Sequence, residues 1–273
     1  MSDVPRLLLG SLLLRPYVFL FLLLHLMGAS ALLGQRRTIV YTLLTWGVAF
    51  GAEASSIRTG IPFGWYTYIP RTADRELWIL GVPFFDSLSF PFLLVASYAL
   101  AWLLLTGDRP VAQRLATKEE VRRRRPARAP HLFLTSALFV LIDLVIDPVA
   151  LRGDRWFLGQ IYSYPEPGVY FGVPLANFVG WGVVGLVATL LYQTWDGRRP
   201  DAGTATFRGR ALLCPSLFFI VLAFNLTITF AIGEWRLGVC GMALSLPLSL
   251  WTLRSLNDPR IPGWGPRGEG IRA

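Results

Sequence analysis

Apolar residues run nearly unbroken for the length of a membrane crossing several times along this chain, and polar and aromatic residues gather between the runs. A bilayer core of about 30 Å takes roughly 20 apolar residues as helix. The pattern predicts spans at about 16–33, 38–54, 77–105, 132–151, 173–194, 211–231 and 235–253. The third is long and contains Pro83 and Pro91, which remove backbone donors, so it is expected to kink or to begin as a separate half-helix. The first follows Arg6 and Arg15 much as a signal peptide's apolar stretch would, but it is long for one and further spans follow. The fold class predicted is all-α: a polytopic membrane bundle of about seven transmembrane helices. Residues 1–257 form its transmembrane domain, and the Gly- and Pro-rich residues 258–273 are expected to be a disordered cytoplasmic tail.

Charge orients the bundle. The net charge of +9 could point to nucleic acid, but the arginines flank apolar runs, where they set topology, and no nucleic-acid partner is expected. Of the 26 lysines and arginines, 18 fall on one side of the predicted spans and 8 on the other. The richer side reads as cytoplasmic, with the N-terminus outside and the C-terminus inside, in a cell membrane. The loop at 106–130 holds Lys118, the sole lysine, and Arg122 to Arg125. It reads as a topology anchor, with a short helix on anionic lipid as the other reading.

Several chemistries fall away at this point. A retinal Schiff base needs a lysine within a span. Haem and metal centres need clustered ligands, whereas His25 and His131 lie in different spans and Cys214 and Cys240 follow no ligand spacing. No disulfide, metal or cofactor is expected, and no phosphate loop or dinucleotide fingerprint occurs.

Four carboxylates stand inside apolar stretches: Glu53, Asp86, Asp143 and Asp147. A charge at bilayer depth is costly and marks a functional site by default. Asp143 and Asp147, four residues apart, share a helix face. On the predicted topology all four lie in the same half of the bilayer. Structural roles compete with this reading: Glu53 paired with Arg58, Asp86 with Ser87 capping a half-helix, Asp147 ending a helix at Pro148. Clustered acids in an apolar hollow favour holding a proton between them, as a general acid acting on an uncharged, lipid-soluble substrate must. The two outer segments, 55–76 and 152–172, are crowded with Tyr, Trp, Gly and Pro. They read either as an aromatic belt or as folded caps over a cavity.

The residues Gly51-Ala52-Glu53, Ser56, Thr59 to Gly64, Tyr66, Tyr68, Gly81-Val82-Pro83 with Asp86, Asp143 with Asp147, Trp156, and Tyr170 to Pro174 with Asn177 carry a resemblance. In that order the chain resembles the integral-membrane carotenoid 1,2-hydratases of bacteria and haloarchaea, the bisanhydrobacterioruberin hydratase type among them. The resemblance implies a hydro-lyase of carotenoid biosynthesis. It would add water, without cofactor or metal, to the terminal 1,2 double bond of an acyclic carotenoid end and give a tertiary alcohol. The partners it implies are a lipophilic carotenoid, water, the bilayer and other enzymes of the same pathway. Depth and spacing make Asp143 the acid and Asp147 or Glu53 the group that deprotonates water, with Asp86 and Asn177 in support. Trp65, Tyr66, Tyr68, Trp156, Tyr162, Tyr164 and Tyr170 are the candidates to line the substrate cavity. Three rivals stay open: a membrane prenyltransferase-like enzyme holding Mg²⁺ and a diphosphate at Asp143 and Asp147, a proton-coupled transporter, and a carotenoid-binding protein without activity.

Overall fold

A computed structural model describes residues 3–106, 128–197 and 209–256. The expected tail at 258–273 and the basic run Arg122 to Arg125 lie outside the described residues. The described chain is mostly helical: α1 (Val4–Leu14), α2 (Pro16–Leu33), α3 (Gln35–Thr59), α4 (Phe84–Ser87), α5 (Ser89–Thr106), α6 (Arg128–Ala150), α7 (Leu175–Gly197), α8 (Leu213–Ala231) and α9 (Trp235–Leu256). Among the described residues, six stretches are long and apolar enough to cross a membrane: α2, α4 with α5, α6, α7, α8 with the turn before it, and α9. The seventh long helix, α3, has 25 residues but carries Arg36 and Arg37 near one end and Glu53 and Arg58 near the other. It packs between α2, α5 and α7 as a full member of the bundle.

Local chemistry sets the breaks. Pro16 opens α2 at a position where its missing N–H costs nothing. Gly34, at φ +86°, allows the reversal into α3 that a side chain would strain. Gly60, left-handed, closes α3 by donating to Ser56 O. Helix α5 is apolar on every face, as a helix at the centre of a bundle should be. Every residue from Phe90 to Leu104 is buried, against α2, α3, α6 and α8.

The predicted third span begins later than its apolar run. Residues 77–83 are not helix. Strands β2 (Trp78–Ile79) and β3 (Val82–Pro83) form a small antiparallel ribbon. Its turn, Leu80-Gly81, has positive φ at both positions, the geometry that suits a two-residue hairpin. Arg58 holds that turn by donating to Leu80 O at 2.8 Å. The helix starts at Phe84 and breaks at Leu88, while Pro91 sits harmlessly in the first turn of α5.

Both aromatic segments fold as caps over the same end of the bundle. Strand β1 (Thr67–Tyr68) in the first cap pairs antiparallel with β4 (Tyr162–Ser163) in the second. Gly180 on α7 lets Phe63 of the first cap lie against the helix backbone; a Cβ there would sit 2.3 Å from the ring.

Candidate functional site

The four acids meet beneath the caps as two bridged pairs. On α6, Asp143 and Asp147 lie one turn apart, and the helix continues through Pro148 to Ala150, so Asp147 is not a terminal residue. Asn177, in the first turn of α7, spans them: its amide donates to Asp143 Oδ2 at 3.0 Å and also to Asp147 Oδ2. On the other wall, the Tyr68 hydroxyl lies 2.8 Å from Glu53 Oε1 on α3 and 2.6 Å from Asp86 Oδ2 on α4. A phenol has one proton to donate. Tyr68 can therefore give a hydrogen bond to one of these carboxyls only, and the other must be protonated to bond the phenol oxygen. Both bonds form together only when Glu53 or Asp86 carries a proton.

The competing structural roles do not describe these residues. Arg58 bonds the carbonyls of Ala54 and Leu80, not Glu53. The Asp86 carboxyl turns to Tyr68, while its backbone carbonyl accepts from Ser89 Oγ at 2.7 Å.

A cavity of about 920 Å³, counted out to its mouth, lies between the pairs. Glu53, Asp86, Asp147 and Asn177 face it, and so do Tyr66, Tyr68, Trp156, Tyr162 and Tyr164. Burial and the neighbouring carboxylates push the cap phenols of Tyr66, Tyr68, Tyr162 and Tyr164 far above their ordinary range, so they act only as neutral groups.

Three expected site residues stand elsewhere. Asp143 is wholly buried behind Asp147 and Asn177 and has no surface on the cavity. Trp65 is 57% exposed, its indole lying over Gly60. Tyr170 turns its hydroxyl toward Cys240 Sγ at 3.6 Å. In an apolar helix, spacing gives the depth of a residue but not which neighbour it faces. Among cap residues, aromatic composition alone does not separate lining from surface.

Other lining residues gave no distinct signal in the sequence. Tyr17 and Phe21 on α2, Phe90 on α5, Trp181 on α7 and Phe224 on α8 all face the cavity. Phe90 stacks on Trp181 at 4.4 Å. A buried ion pair was equally hidden: Arg15 and Glu76, 4% and 1% exposed, lie 3.9 Å apart. Thr72 donates to Glu76, and the guanidinium sits 4.6 Å over Phe85, which lines the cavity. Burial pushes the Glu76 carboxyl up, against the opposing effects of Thr72 and Arg15. Among the described residues, no three His, Cys, Asp or Glu side chains converge as a metal site requires.

The sequence model of a family described as carotenoid biosynthesis proteins matches residues 8–247, and the chain belongs to that family. It is 32% identical over 199 residues to the bisanhydrobacterioruberin hydratase of Haloarcula japonica, a match covering 73% of this chain and 57% of that protein. The chain thus spans little more than half the length of that relative. No solved structure matches.

Proposed function

We propose that this member of the carotenoid biosynthesis family is a carotenoid 1,2-hydratase, adding water to the terminal 1,2 double bond of an acyclic carotenoid end to give a tertiary alcohol. The observation that carries the reading is the convergence of Glu53, Asp86 and Asp147 from three helices on one cavity whose remaining wall is aromatic and apolar. The family membership and the named relative support the same class of reaction.

Hydration of an isolated alkene needs an acid, a dry cation-tolerant pocket and a held water. Asp147 is the acid, because it faces the cavity and Asp143 does not. Its proton goes to C2, the π pair forms the new C–H bond, and a tertiary cation is left at C1. Tyr66, Tyr68 and Tyr162, with ring centroids 5.2 to 6.5 Å apart, present π systems to that cation. Glu53 and Asp86 hold the attacking water beside Tyr68. As the C1–O bond forms, whichever of the two is ionised takes the water's proton. A proton returned to Asp147 through that cluster restores the starting state, so the sum is one water added. Asp143, tied to Asp147 through Asn177, keeps the acid oriented. The chemistry is cofactor-independent, and the cap end faces the non-cytoplasmic side.

Expression in a lycopene-accumulating host, with mass analysis of the pigments, tests this. The expected product carries the mass of one added water, and it disappears with Asp147→Asn. An unaltered pigment pool across lycopene and other acyclic-ended carotenoids would overturn it.

A further inference from the structure

Beyond the acids, the same cavity runs on between α2 and α8. We infer that this aromatic slot holds the polyene chain of the substrate and admits it sideways from the bilayer. The inference rests on the hydratase reading for the identity of the ligand, but its geometry is independent of the chemistry.

A carotenoid end that reaches Asp147 leaves the rest of a long, rigid hydrocarbon to be housed. It cannot pass up through the polar caps without meeting water. At the far end of the bundle α2 and α8 lie in close contact, because Gly28 has no side chain; a Cβ there would come within 2.8 Å of Cys214 N. Toward the caps, aromatic rings line the space between the same two helices. Tyr17 stacks on Phe224 at 5.4 Å, and Phe21 meets Phe224 edge-on at 5.6 Å. Phe92, Leu93 and Val221 complete an apolar wall along the cavity. Asn225 adds an amide to this wall and donates from it to Val221 O at 2.9 Å. The roof is Trp156, fixed by a bond from Nε1 to Val149 O at 3.1 Å. Next to it Phe157, 57% exposed and 5.6 Å from Tyr17, carries the row of rings to the surface of the bundle. A neighbouring α2 residue, Leu20, is 53% exposed on the face that would meet lipid. Flat ring faces along an apolar slot suit a flat conjugated chain better than a flexible acyl tail.

The test compares two substrates that share the isoprene end: a full-length acyclic carotenoid and a short acyclic terpene. Val221→Trp fills the slot, Phe224→Ala loosens it, and Leu20→Trp on the lipid face is the control. Val221→Trp should lower the ratio of full-length to short-chain turnover at least tenfold. Phe224→Ala should raise KM for the full-length substrate alone, and Leu20→Trp should leave the ratio unchanged. An unaltered ratio in both slot variants overturns the inference. If the wild-type protein hydrates neither substrate, the hydratase reading fails by itself. Pigment retained by the purified protein then decides: loss of bound carotenoid in Val221→Trp supports the slot, and wild-type retention overturns it.

Discussion

At the far end of the bundle, polar side chains bond one another across helices. Arg37 Nε meets Asp196 Oδ1 at 2.6 Å, Tyr41 bonds Thr189 at 3.2 Å, and His131 bonds the Tyr98 carbonyl at 2.9 Å. Tyr41 also stacks on Tyr192 at 4.0 Å. At the cap end, Glu53, Asp86 and Asp147 are also bonded, but each keeps an edge on an open cavity. Glu53 Oε2 is buried without a partner. Both ends place polar atoms where desolvation is expensive. Unpartnered buried atoms occur in both regions, His25 Nδ1 and Thr135 Oγ1 away from the caps and Glu53 Oε2 beneath them, but the cap end gathers its carboxyls on an open cavity, where unspent hydrogen-bonding capacity can meet a substrate. The far end positions helices; the cap end is built to act on something that enters.

The sharpest way to break that distinction is to remove charge without changing shape. Asp147→Asn should lower hydration by about 10²–10⁴-fold, the scale of a lost general acid. Asp143→Asn, one turn away but behind the cavity wall, should cost clearly less. The protein should still accumulate in membranes in both cases. Hydrated pigment per unit protein measures it; equal losses at the two positions would mean that exposure to the cavity does not set the role.

The comparison also explains what could be read from the chain. The spans were legible because a bilayer demands long apolar runs, and the acids because charge within such runs is costly. The convergence of Glu53, Asp86 and Asp147 followed from placing their spans and depths. The bridging by Tyr68 and Asn177 did not, because it depends on how α3, α6 and α7 are rotated about their axes. The ribbon at 77–83 was hidden for a related reason. Trp78, Ile79, Leu80 and Val82 are as apolar as a span, and only Leu80-Gly81 followed by Pro83 betrays a turn. Arg15 read as a topology charge, since nothing local pairs it with Glu76 across 61 positions.

A smaller effect sharpens the contrast from the far side. His25 Nε2 lies 2.8 Å from Thr42 Oγ1, which itself donates to Thr38 O at 2.7 Å. The hydroxyl proton is thereby spent, so the imidazole must donate from Nε2, which leaves Nδ1 as the unpartnered nitrogen. Thr42→Val should strand that buried N–H and cost about 1–3 kcal/mol. Thermal unfolding in detergent should register the loss while turnover per folded molecule stays at the wild-type level. A fall in turnover at constant stability would show that the far end takes part in the chemistry.

The smallest effect concerns how the second cap is tethered. Glu234, in the turn between α8 and α9, accepts from Arg152 Nε at 3.0 Å and from Arg155. Arg152 also donates to Pro148 O at 2.7 Å and to Phe171 O at 3.1 Å, so one cluster ties the cap to α6 and to the α8–α9 turn. Burial alone would push the Glu234 carboxyl up, but the hydrogen bonds and charges of the two arginines outweigh it and hold it below its ordinary value of 4.5. A carboxyl held lower in the folded state stabilises the fold above its unfolded-state pKa, and that stability fades as pH falls through the folded value. With these side chains partly exposed, the contribution is about 1 kcal/mol or less. Glu234→Gln should therefore melt slightly below wild type at neutral pH, and the two curves should converge as the medium is acidified past the glutamate range. Melting temperatures taken along a pH series decide it. A gap that persists unchanged into acid would mean that Glu234 holds the cap by shape, and that its charge contributes nothing to joining the caps to the bundle.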